Sequence, residues 1–426
     1  MKRFVQITLF TIALIGFSHN AKATHMMGGE ITWECLSNGK YIFTMTLYRE
    51  CGTPAATMPT SATLTGPVSI PVSLANGTTP GIPNPLEISP TCAGGGSIAC
   101  VTSPSGEGAV EKYVYKSGQI TLTGTPPAGG WTFSYSLCCR PGTVVNGPSN
   151  QNYYLRAIMY PYTPVGSTSP KNVNPCYDSS PFFSETGSIT ICEGPFTYNH
   201  LASDKDLDSL YVRFANPWIG QGQSVTWGSG YSASSPYPNT STNPANGPVT
   251  LNGITGEVSM NIQSGTKGSY ASCYAIEAWK CGQGPNGPQP QLVAEVFRDV
   301  AIVVQTGCPT NTEPDVSIDT SLYKNIIRHG PKNYSTTVYP GDTVSFNMIA
   351  NDYDFNTGAN RFQYIHFKAE GLQVARPLTG NTGCVGPTPC ASFNPVGFIP
   401  PVTLKNEQAF FWVPDCQHLD VGGNFC

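Results

Sequence analysis

The sequence predicts an all-β, disulfide-bearing protein built from tandem β-sandwich domains. Three observations indicate this fold class: the 426 residues include 45 glycines and 38 prolines, apolar and polar residues alternate in many short segments, and there are 15 cysteines. Glycine and proline at this density break helices, and the β-formers between them read as short strands joined by turns. The length fits two or three domains of ordinary size.

The N-terminus has the pattern of a secretory signal peptide. Two basic residues at positions 2 and 3 precede an apolar run over 4–17, and the small-residue triplet Ala21-Lys22-Ala23 follows. The apolar run is short for a membrane-spanning helix, and the triplet places the cleavage after Ala23. We therefore expect residues 1–23 to be removed and the mature protein to be secreted or held at the outer cell surface, with no transmembrane helix.

Charged residues are few, 11% of the chain, and the formal net charge is −4. Removing residues 1–23 takes away three basic residues (Lys2, Arg3 and Lys22), which leaves a mature net charge of −7. A nucleic-acid-binding protein would need a basic stripe with interleaved aromatic residues. We therefore expect no nucleic-acid partner, whereas an acidic exposed protein can recruit divalent cations.

The clearest strand pair is a hairpin between Ile31 and Arg49. Asn38-Gly39 separates two alternating runs there, and this dipeptide is the strongest short hairpin signal. Further period-2 segments predict strands at Lys112–Tyr115, Gly118–Thr123, Trp131–Leu137, Tyr153–Met159, Leu210–Phe214, Tyr274–Trp279, Leu292–Val304 and Thr343–Ile349. The Gly/Pro/Ser-rich connections between them, such as 52–90 and 220–248, are long enough to carry binding loops.

Two changes in composition divide the mature chain into three units. The segment 176–193 follows the first strand-rich block, and Cys308-Pro309 opens a polar run that ends at Pro314. We expect units over 24–174, 175–308 and 309–426, each with the short-strand pattern of a β-sandwich.

The cysteines all lie in the mature part, where the environment after export permits oxidation. Disulfides are favoured over a zinc-thiolate site, because paired Cys/His knuckles do not occur. Short separations in turn-rich sequence predict local bonds, although connectivity does not follow from sequence alone. The predicted pairs are Cys35–Cys51, Cys92–Cys100, Cys273–Cys281 and Cys384–Cys390, and the odd total leaves at least one cysteine unpaired.

Several segments together resemble a known class of protein. "HMMGGEITWECLSNGKYIFTMTLYREC", "WTFSYSLCCR", "SSPFF" and "FTYNHLASDKDLDSLYVRF" are similar to the N-terminal region of very large secreted surface proteins of Bacteroidota. Their order along nearly the whole mature chain is more specific than any one of them. The resemblance implies an adhesive or structural role at the cell surface and no enzyme activity.

The same resemblance implies an architecture and an export route. Such proteins carry PKD-like, immunoglobulin-like or cadherin-like repeats, and they end in a gliding-motility-associated C-terminal domain that the type IX secretion system reads. That terminal domain is missing here, and the third unit stops at Cys426, ten residues after Cys416. We therefore expect a fragment whose anchoring machinery is inferred by analogy alone.

The strongest chemical signal is Asp204-x-Asp206-x-Asp208, just ahead of a predicted strand. Alternating carboxylates in a turn converge on one point and are the hard oxygen ligands that Ca²⁺ prefers. The pattern resembles the A-x-D-x-D-x-D-x-L segment of cadherin-like and dystroglycan-like sandwiches, not an EF-hand. Glu277 and Asp299 are expected to complete this site. The alternative is that the acidic residues only cap turns and face solvent.

A second, poorer calcium pattern is "ANDYDFN", which follows the strand predicted at Thr343–Ile349. It offers Asp352 and Asp354, together with Asn351 and Asn356, as oxygen ligands. Fewer carboxylates contribute less charge to calcium affinity, so this site is expected to be the weaker one.

Enzymatic function is not expected. The five histidines of the mature chain are scattered, and neither H-E-x-x-H, a G-x-S-x-G nucleophile elbow nor a Gly-rich phosphate loop occurs. A pair of glycosidase carboxylates is not excluded by sequence. His200, beside the acidic pattern, could be a ligand or a base, but a solvated loop histidine is the favoured interpretation.

Four aromatic residues stand in the Gly/Ser/Pro-rich stretch that follows the acidic pattern: Trp218, Trp227, Tyr231 and Tyr237. They could form a platform for stacking on sugars, although ordinary core and loop packing explains them as well.

The sequence as a whole favours two functions from different classes. The first is a calcium-stiffened adhesin or extracellular scaffold with an unknown glycan or protein ligand, and the alternative is a secreted carbohydrate-binding protein that acts on polysaccharide.

Overall fold

The computed structural model describes a chain of strands joined by turns, and none of the described residues is helical. The strands are short in most places, but two of them form a hairpin of 17 and 19 residues. The described residues are 26–51, 57–75, 84–89, 100, 108–184, 187, 190–206, 208–263, 267–305, 315–319, 326–328, 334–353, 355–356, 361–362, 364–365, 389–394 and 402–414.

The strands in chain order are β1 (Met26–Cys35), β2 (Tyr41–Glu50), β3 (Ser61–Leu64), β4 (Ile70–Leu74), β5 (Leu86–Glu87), β6 (Val110–Ser117), β7 (Trp131–Leu137), β8 (Tyr153–Met159), β9 (Phe182–Phe183), β10 (Thr190–Cys192), β11 (Gly194–Asn199), β12 (Ala202–Ser203), β13 (Ser209–Phe214), β14 (Trp218–Gly220), β15 (Gln223–Ser224), β16 (Thr250–Leu251), β17 (Glu257–Ile262), β18 (Gly268–Gly284), β19 (Gly287–Gln305), β20 (Asp315–Asp319), β21 (Ile327–Arg328), β22 (Tyr334–Ser335), β23 (Val344–Asp352), β24 (Phe355–Asn356), β25 (Arg361–Phe362), β26 (Tyr364–Ile365), β27 (Ser392–Asn394) and β28 (Val402–Trp412).

The largest described sheet has 12 strands and curls back on itself. Its main order is β13-β18-β19-β1-β2-β6-β4-β3, and β8 also pairs with β19 while β7 pairs with β8. Thr65, just after β3, exchanges backbone hydrogen bonds of 2.9 and 2.8 Å with Ser134 of β7. These pairings close a ring of strands from β19 through β1, β2, β6, β4, β3, β7 and β8 back to β19.

A first core fills the inside of this ring. Its aromatic centre is Phe43 of β2 and Phe133 of β7, whose ring centroids are 4.7 Å apart, with Trp33 5.6 Å from Phe133. All three side chains are buried. Fully burying one such aromatic side chain contributes about 1.5–3 kcal/mol, so apolar packing across the ring stabilises its closure.

A second core lies on another part of the same sheet. Met27 of β1 and Tyr48 of β2 belong to it, whereas their neighbours Met26 and Leu47 belong to the first core. This division follows from the period of two along a strand, which sends successive side chains to opposite faces. The long strand β19 contributes Val293, Ala294 and Val296 to the first core and Val300 to Val304 to the second.

Another sheet is built from later residues, in the order β20-β23-β28-β26 with β27 also on β28. Phe346 and Phe410 face each other in the β23–β28 register and stack with their centroids 4.7 Å apart. The strand predicted at Thr343–Ile349 corresponds to β23.

Most sequence-predicted strands are confirmed, with one exception. The Asn38-Gly39 hairpin is β1–β2, where Gly39 has a φ of +81° that favours glycine. The segment Gly118–Thr123 is not a strand, because only Ile120 forms an isolated bridge, to Tyr41. The all-β class and its disulfides are confirmed. The tandem immunoglobulin-like or cadherin-like arrangement stays a prediction.

The expected boundary at 174/175 does not separate two sheets. Gly28 and Gly29 of β1 pair directly with Val300 and Asp299 of β19, although these strands were assigned to different units. The close approach requires glycine at position 28, because a Cβ there would lie 2.0 Å from the Asp299 backbone oxygen. The boundary at 308/309 lies outside the described residues.

Long-range disulfides replace the predicted local ones in the first half of the chain. Cys35 bonds to Cys176 and Cys51 bonds to Cys100, while the adjacent Cys138 and Cys139 form a third bond. The predicted Cys35–Cys51 bond is wrong. Cys35 pairs with Tyr41 beside the hairpin turn, whereas Cys51 follows the far end of the ten-residue strand β2, about 30 Å away.

The predicted Cys273–Cys281 bond is also wrong. Both residues lie on β18, and eight residues of extended strand separate them by about 27 Å. Cys273 is a buried free thiol, and Cys281 is bonded to another cysteine.

The two remaining predicted pairs have different outcomes. Cys92 lies outside the described residues, and the Cys92–Cys100 bond is wrong because Cys100 is bonded to Cys51. Cys384 also lies outside them, so its pairing with the disulfide-bonded Cys390 stays a prediction. As for membrane spans, the structure offers no helix of sufficient length and apolarity within the ranges that it describes.

Candidate functional site

The Asp204 turn lies between the short strand β12 and β13. Asp204 Oδ1 accepts the backbone N–H of Asp206 at 2.7 Å and that of Asp208 at 3.2 Å. An aspartate that accepts from the backbone two residues onward forms an Asx-turn, which holds the chain in a tight bend. The alternating carboxylates therefore shape their own loop, and one of the oxygens expected for metal ligation is used in doing so.

Two residues that the sequence analysis did not single out complete this group. The Lys280 ammonium of β18 lies 2.6 Å from Asp208 Oδ1 and 3.0 Å from Asp178 Oδ1. Asp178 follows the disulfide-bonded Cys176. We call Asp178, Asp204, Asp206, Asp208 and Lys280 the acidic cluster. It contains four carboxylates and one ammonium, and the ammonium contacts two of them, Asp178 and Asp208.

Most of the acidic cluster is withdrawn from water. Asp178 and Asp204 are buried, with Asp204 only 3% exposed, and the Oδ2 atoms of Asp204 and Asp208 have no hydrogen-bond partner in the part of the chain that the structure describes. Burial raises the pKa of Asp204 to about 7, and the neighbouring Asp208 carboxylate adds to this shift. Burial likewise raises the pKa of Asp178 and of Asp208, while Lys280 lowers both. Burial therefore opposes ionisation of these three carboxyl groups, and the Lys280 ammonium offsets this in part for Asp178 and Asp208.

The pKa of Lys280 is shifted by burial in the opposite direction from that of the carboxyl groups. Burial alone would lower its pKa, but the Asp178 and Asp208 carboxylates outweigh burial and raise it. The ammonium is therefore held in its charged form as the resident cation of the acidic cluster.

The acidic cluster is fastened to the end of β1. Asp206 Oδ2 accepts the backbone N–H of Ser179 at 2.6 Å. The hydroxyls of Ser179 and Ser180 in turn accept the backbone N–H groups of Cys35 at 3.2 Å and Trp33 at 2.9 Å. An ion pair between Lys205 and Glu34 adds a more exposed contact. The cluster thus joins the 176–180 segment, the Asp204 turn, β1 and β18.

The acidic cluster fits a calcium site only in part. Its oxygens are of the kind that Ca²⁺ prefers, and two buried oxygens have no hydrogen-bond partner among the described residues. Against this, no group of three or more His, Cys, Asp or Glu side chains within the described ranges is arranged to hold a metal ion. The Lys280 ammonium opposes metal binding here, because it already lies beside Asp178 and Asp208 as their positive partner.

The other two expected ligands of this site are engaged by arginines. Glu277 Oε1 accepts from Arg213 Nε at 2.6 Å, and its Oε2 accepts from the Trp279 indole at 3.1 Å. Asp299 accepts from both terminal nitrogens of Arg140 at 2.7 and 2.6 Å. The structure therefore places Glu277 and Asp299 in ion pairs and does not bring them to Asp204.

The second calcium pattern is described only in part. Asp352 is buried at the end of β23, opposite Leu404 of β28. Asp354 lies outside the described residues, so calcium binding there stays a prediction.

His200 is buried, so the expectation of a solvated loop histidine is wrong. It is 1% exposed, its Nδ1 lies 3.2 Å from Arg298 Nη1, and its ring packs on Tyr274 with centroids 4.3 Å apart. Arg298 also makes a bidentate pair with Glu30 at 2.7 Å for each bond. Long-range sheet pairing brings these groups together, which the local sequence does not reveal.

The four aromatic residues do not form one platform. Tyr237 is fully buried in the second core, where its hydroxyl donates to Ser272 Oγ at 2.7 Å. Tyr231 packs on the edge of the same core, 6.0 Å from Tyr270. Trp218 and Trp227 remain half-buried near Asn216, whose side-chain oxygen accepts the Trp227 indole N–H at 3.3 Å.

Sequence reasoning missed Asp178 and Lys280 because each is isolated in the chain. Lys280 is a single cation at the end of a largely buried segment of β18, and an unpaired buried charge is costly, so its position was a usable signal. Asp178 carries no comparable signal in its local sequence.

Comparison with known proteins adds no assignment. No protein-family model matches this chain, and a search of the curated proteins finds none similar to it. The residues and their geometry are therefore the basis on which a function can be proposed.

Proposed function

We propose that this chain is a non-enzymatic adhesin or extracellular scaffold of an outer cell surface, with β-sheet domains that Ca²⁺ stiffens. The secretory N-terminus, the disulfides and the resemblance to large secreted Bacteroidota surface proteins support this proposal. Export by the type IX system, PKD-like or cadherin-like repeats and a sorting domain beyond Cys426 belong to the same proposal.

The acidic cluster is the observation that carries it. Two of its four carboxylates, Asp178 and Asp208, contact Lys280 of the β18–β19 hairpin. Asp206 accepts the backbone N–H of Ser179, whose hydroxyl accepts the backbone N–H of Cys35 at the end of β1. A group that joins separate segments resists their displacement, as a scaffold at a cell surface requires. The Oδ2 atoms of Asp204 and Asp208, which have no hydrogen-bond partner among the described residues, are the ones that Ca²⁺ would take, and its positive charge would favour their ionised forms.

Thermal melting in excess Ca²⁺ and in chelator tests the calcium component. We expect a higher melting temperature in Ca²⁺ for the wild type, because a ligand that binds only the folded state stabilises it. Asp204→Asn should lose most of this difference, whereas Asp315→Asn, at an exposed position of β20, should keep it. Equal melting temperatures for the wild type in both buffers would reject calcium stiffening.

A secreted carbohydrate-binding protein is the second candidate. It is favoured by Trp218 and Tyr154, whose half-buried rings lie 6.0 Å apart at one surface, with Trp227 nearby through Asn216. A glycan array with and without chelator separates the two functions. Tight, chelator-insensitive binding to one polysaccharide would favour the second, and no glycan binding together with a calcium-dependent melting temperature would favour the first.

Export is tested separately from binding. N-terminal sequencing of the protein recovered from cells should begin at Thr24, and protease added to intact cells should remove it. An uncleaved leader, or full protection from protease, would contradict a surface location.

A further inference from the structure

Arg156 differs from the other buried arginines that the structure describes. Arg140 is paired with Asp299 and Arg298 with Glu30, each by two hydrogen bonds. Arg156 is 4% exposed, yet no carboxylate of the described residues accepts a hydrogen bond from it. Buried charges in folded proteins are normally paired, since an uncompensated one is costly. Arg156 therefore lacks the anion that its environment calls for.

The guanidinium of Arg156 is held in a fixed position. Its central carbon lies 3.9 Å from the ring centroid of Trp218 and 3.8 Å from that of Phe297. One Nη2 hydrogen is donated to the Asn216 backbone oxygen at 3.1 Å, and the buried Nε has no partner among the described residues. Within the same part of the chain, no hydrogen bond of Nη1 is found. A planar cation with rigid support and unused donors is preorganised for an acceptor.

The carboxylates near Arg156 are paired with other side chains. Glu295 is held by Arg213 and by the Tyr160 hydroxyl at 2.9 Å, and Asp299 is held by Arg140. Burial lowers the pKa of Arg156, whereas the pKa values of the carboxylate-paired Arg140 and Arg298 are raised. The adjacent Cys273 thiol is kept neutral, since burial raises its pKa to about 12.

The surroundings of Arg156 favour a sugar as the carrier of the anion. Trp218, Tyr154 and Trp227 are half-buried, so part of each residue is accessible to solvent. Asn216 is exposed and contacts both Arg156, through its backbone, and Trp227, through its side chain. Aromatic rings cover the apolar faces of sugars, and an arginine beside them can bind a carboxylate in its plane.

We propose that Arg156, together with Trp218, Tyr154, Trp227 and Asn216, binds the carboxylate of a uronate residue in an acidic polysaccharide. The uronate oxygens accept from Nη1 and the remaining Nη2 hydrogen, and the sugar ring lies on the aromatic side chains. The inference deepens the carbohydrate-binding candidate and rests on it. It names the class of glycan and does not involve the acidic cluster.

Titration of the full chain with polygalacturonate tests this site, with dextran as the neutral glycan. We expect binding to polygalacturonate and none to dextran. Arg156→Met should weaken binding at least tenfold, and Arg156→Lys, which keeps the charge but not the planar fork, should weaken it by a smaller factor. Lys116→Met removes one charge from an exposed position of β6 and should bind as the wild type does.

Additional variants and a control polymer distinguish the possible results of this titration. If Arg156→Met does not fold, Trp227→Leu at the rim replaces it, with an expected loss of at least fivefold. Equal loss in Lys116→Met, or unchanged binding in Arg156→Met or Trp227→Leu, would overturn the site. Binding of polyaspartate as tight as that of polygalacturonate would overturn the sugar as carrier. A calcium-dependent melting temperature without polygalacturonate binding would reject this inference alone and leave the scaffold function standing.

Discussion

The Lys280 ammonium lies 2.6 Å from Asp208 Oδ1, although 72 residues separate the two in the chain. This contact brings a cation of β18 into a turn that was expected to bind a metal. The stability of the turn therefore depends on a charge that the protein itself supplies.

Lys280→Met should destabilise the protein in chelator. Removing one partner of a buried ion pair leaves uncompensated charge and typically costs about 3–5 kcal/mol, and Lys280 is partly exposed, so the lower end is expected. Added Ca²⁺ should recover part of the loss, because the metal can take the vacated place among the carboxylates. Urea unfolding in both buffers measures the change. Lys405→Met, from an exposed pair with Glu407, is the control and should change the unfolding free energy by less than about 0.5 kcal/mol.

Metal-free stability should fall as pH rises from 5 to 8. The pKa of Asp204 is raised by burial to about 7 in the folded protein, above its ordinary value of 3.8. The folded state thus binds the proton more tightly, and the stability this gives at low pH is lost as pH rises through 7. We expect a loss of about 2 kcal/mol, measured by denaturant unfolding in chelator. Asp204→Asn should flatten the profile, and a stability that rises over this range would contradict the assignment.

Mutation of the buried Glu30–Arg298 pair should destabilise the protein far more than mutation of an exposed pair. Glu30→Gln leaves Arg298 buried beside His200 with a weaker acceptor, and a loss of about 3 kcal/mol is expected. The matched control is Glu34→Gln, whose pair with Lys205 has side chains 48% and 38% exposed, and there the loss should stay below about 1 kcal/mol. Similar losses in the two variants, measured by urea unfolding, would show that burial of the pair is unimportant.

Peptide mapping without reduction should recover Cys35 linked to Cys176 and Cys51 linked to Cys100. Cys176→Ser should lower the unfolding free energy by about 2–5 kcal/mol, because the bond closes a loop of more than a hundred residues. A peptide joining Cys35 to Cys51 would contradict the described strand register.

Cys273 should react with a thiol reagent only after unfolding. Its side chain is buried, and burial raises the pKa of the thiol to about 12, so almost no thiolate forms at neutral pH. Rapid labelling of Cys273 in the native protein, followed by mass spectrometry, would show that the strand β18 opens. Cys273→Ala should remove the label that appears in denaturant.

Local patterns predicted local structure well and distant contacts poorly. The Asn38-Gly39 hairpin and the alternating segments of β7, β8 and β13 were readable, because a turn and a period of two are encoded within a few residues. The partner of Cys35 was not readable, since Cys176 lies 141 positions further along the chain and the intervening sequence carries no signal that the two ends meet.

In the candidate site, too, the local features were predictable from sequence and the long-range contacts were not. The bend at Asp204 was expected from its alternating carboxylates, and its Asx-turn agrees with their role in shaping a turn. Lys280, Asp178 and the burial of His200 and Tyr237 depend on which strands become neighbours, and sheet order is set by the packing of the whole molecule. The half-buried Trp218 was identified by its residue type, but its contact with Arg156 was not.

The long strand β19 has a consequence for how this part of the protein comes apart. Val296 of β19 serves the first core and Val300 serves the second, only four positions further along one continuous strand. Heat that loosens one core must therefore disturb the backbone on which the other is assembled. A calorimeter should record a single endotherm for the unfolding of both cores. A destabilising substitution in either core should lower the melting temperature of both together.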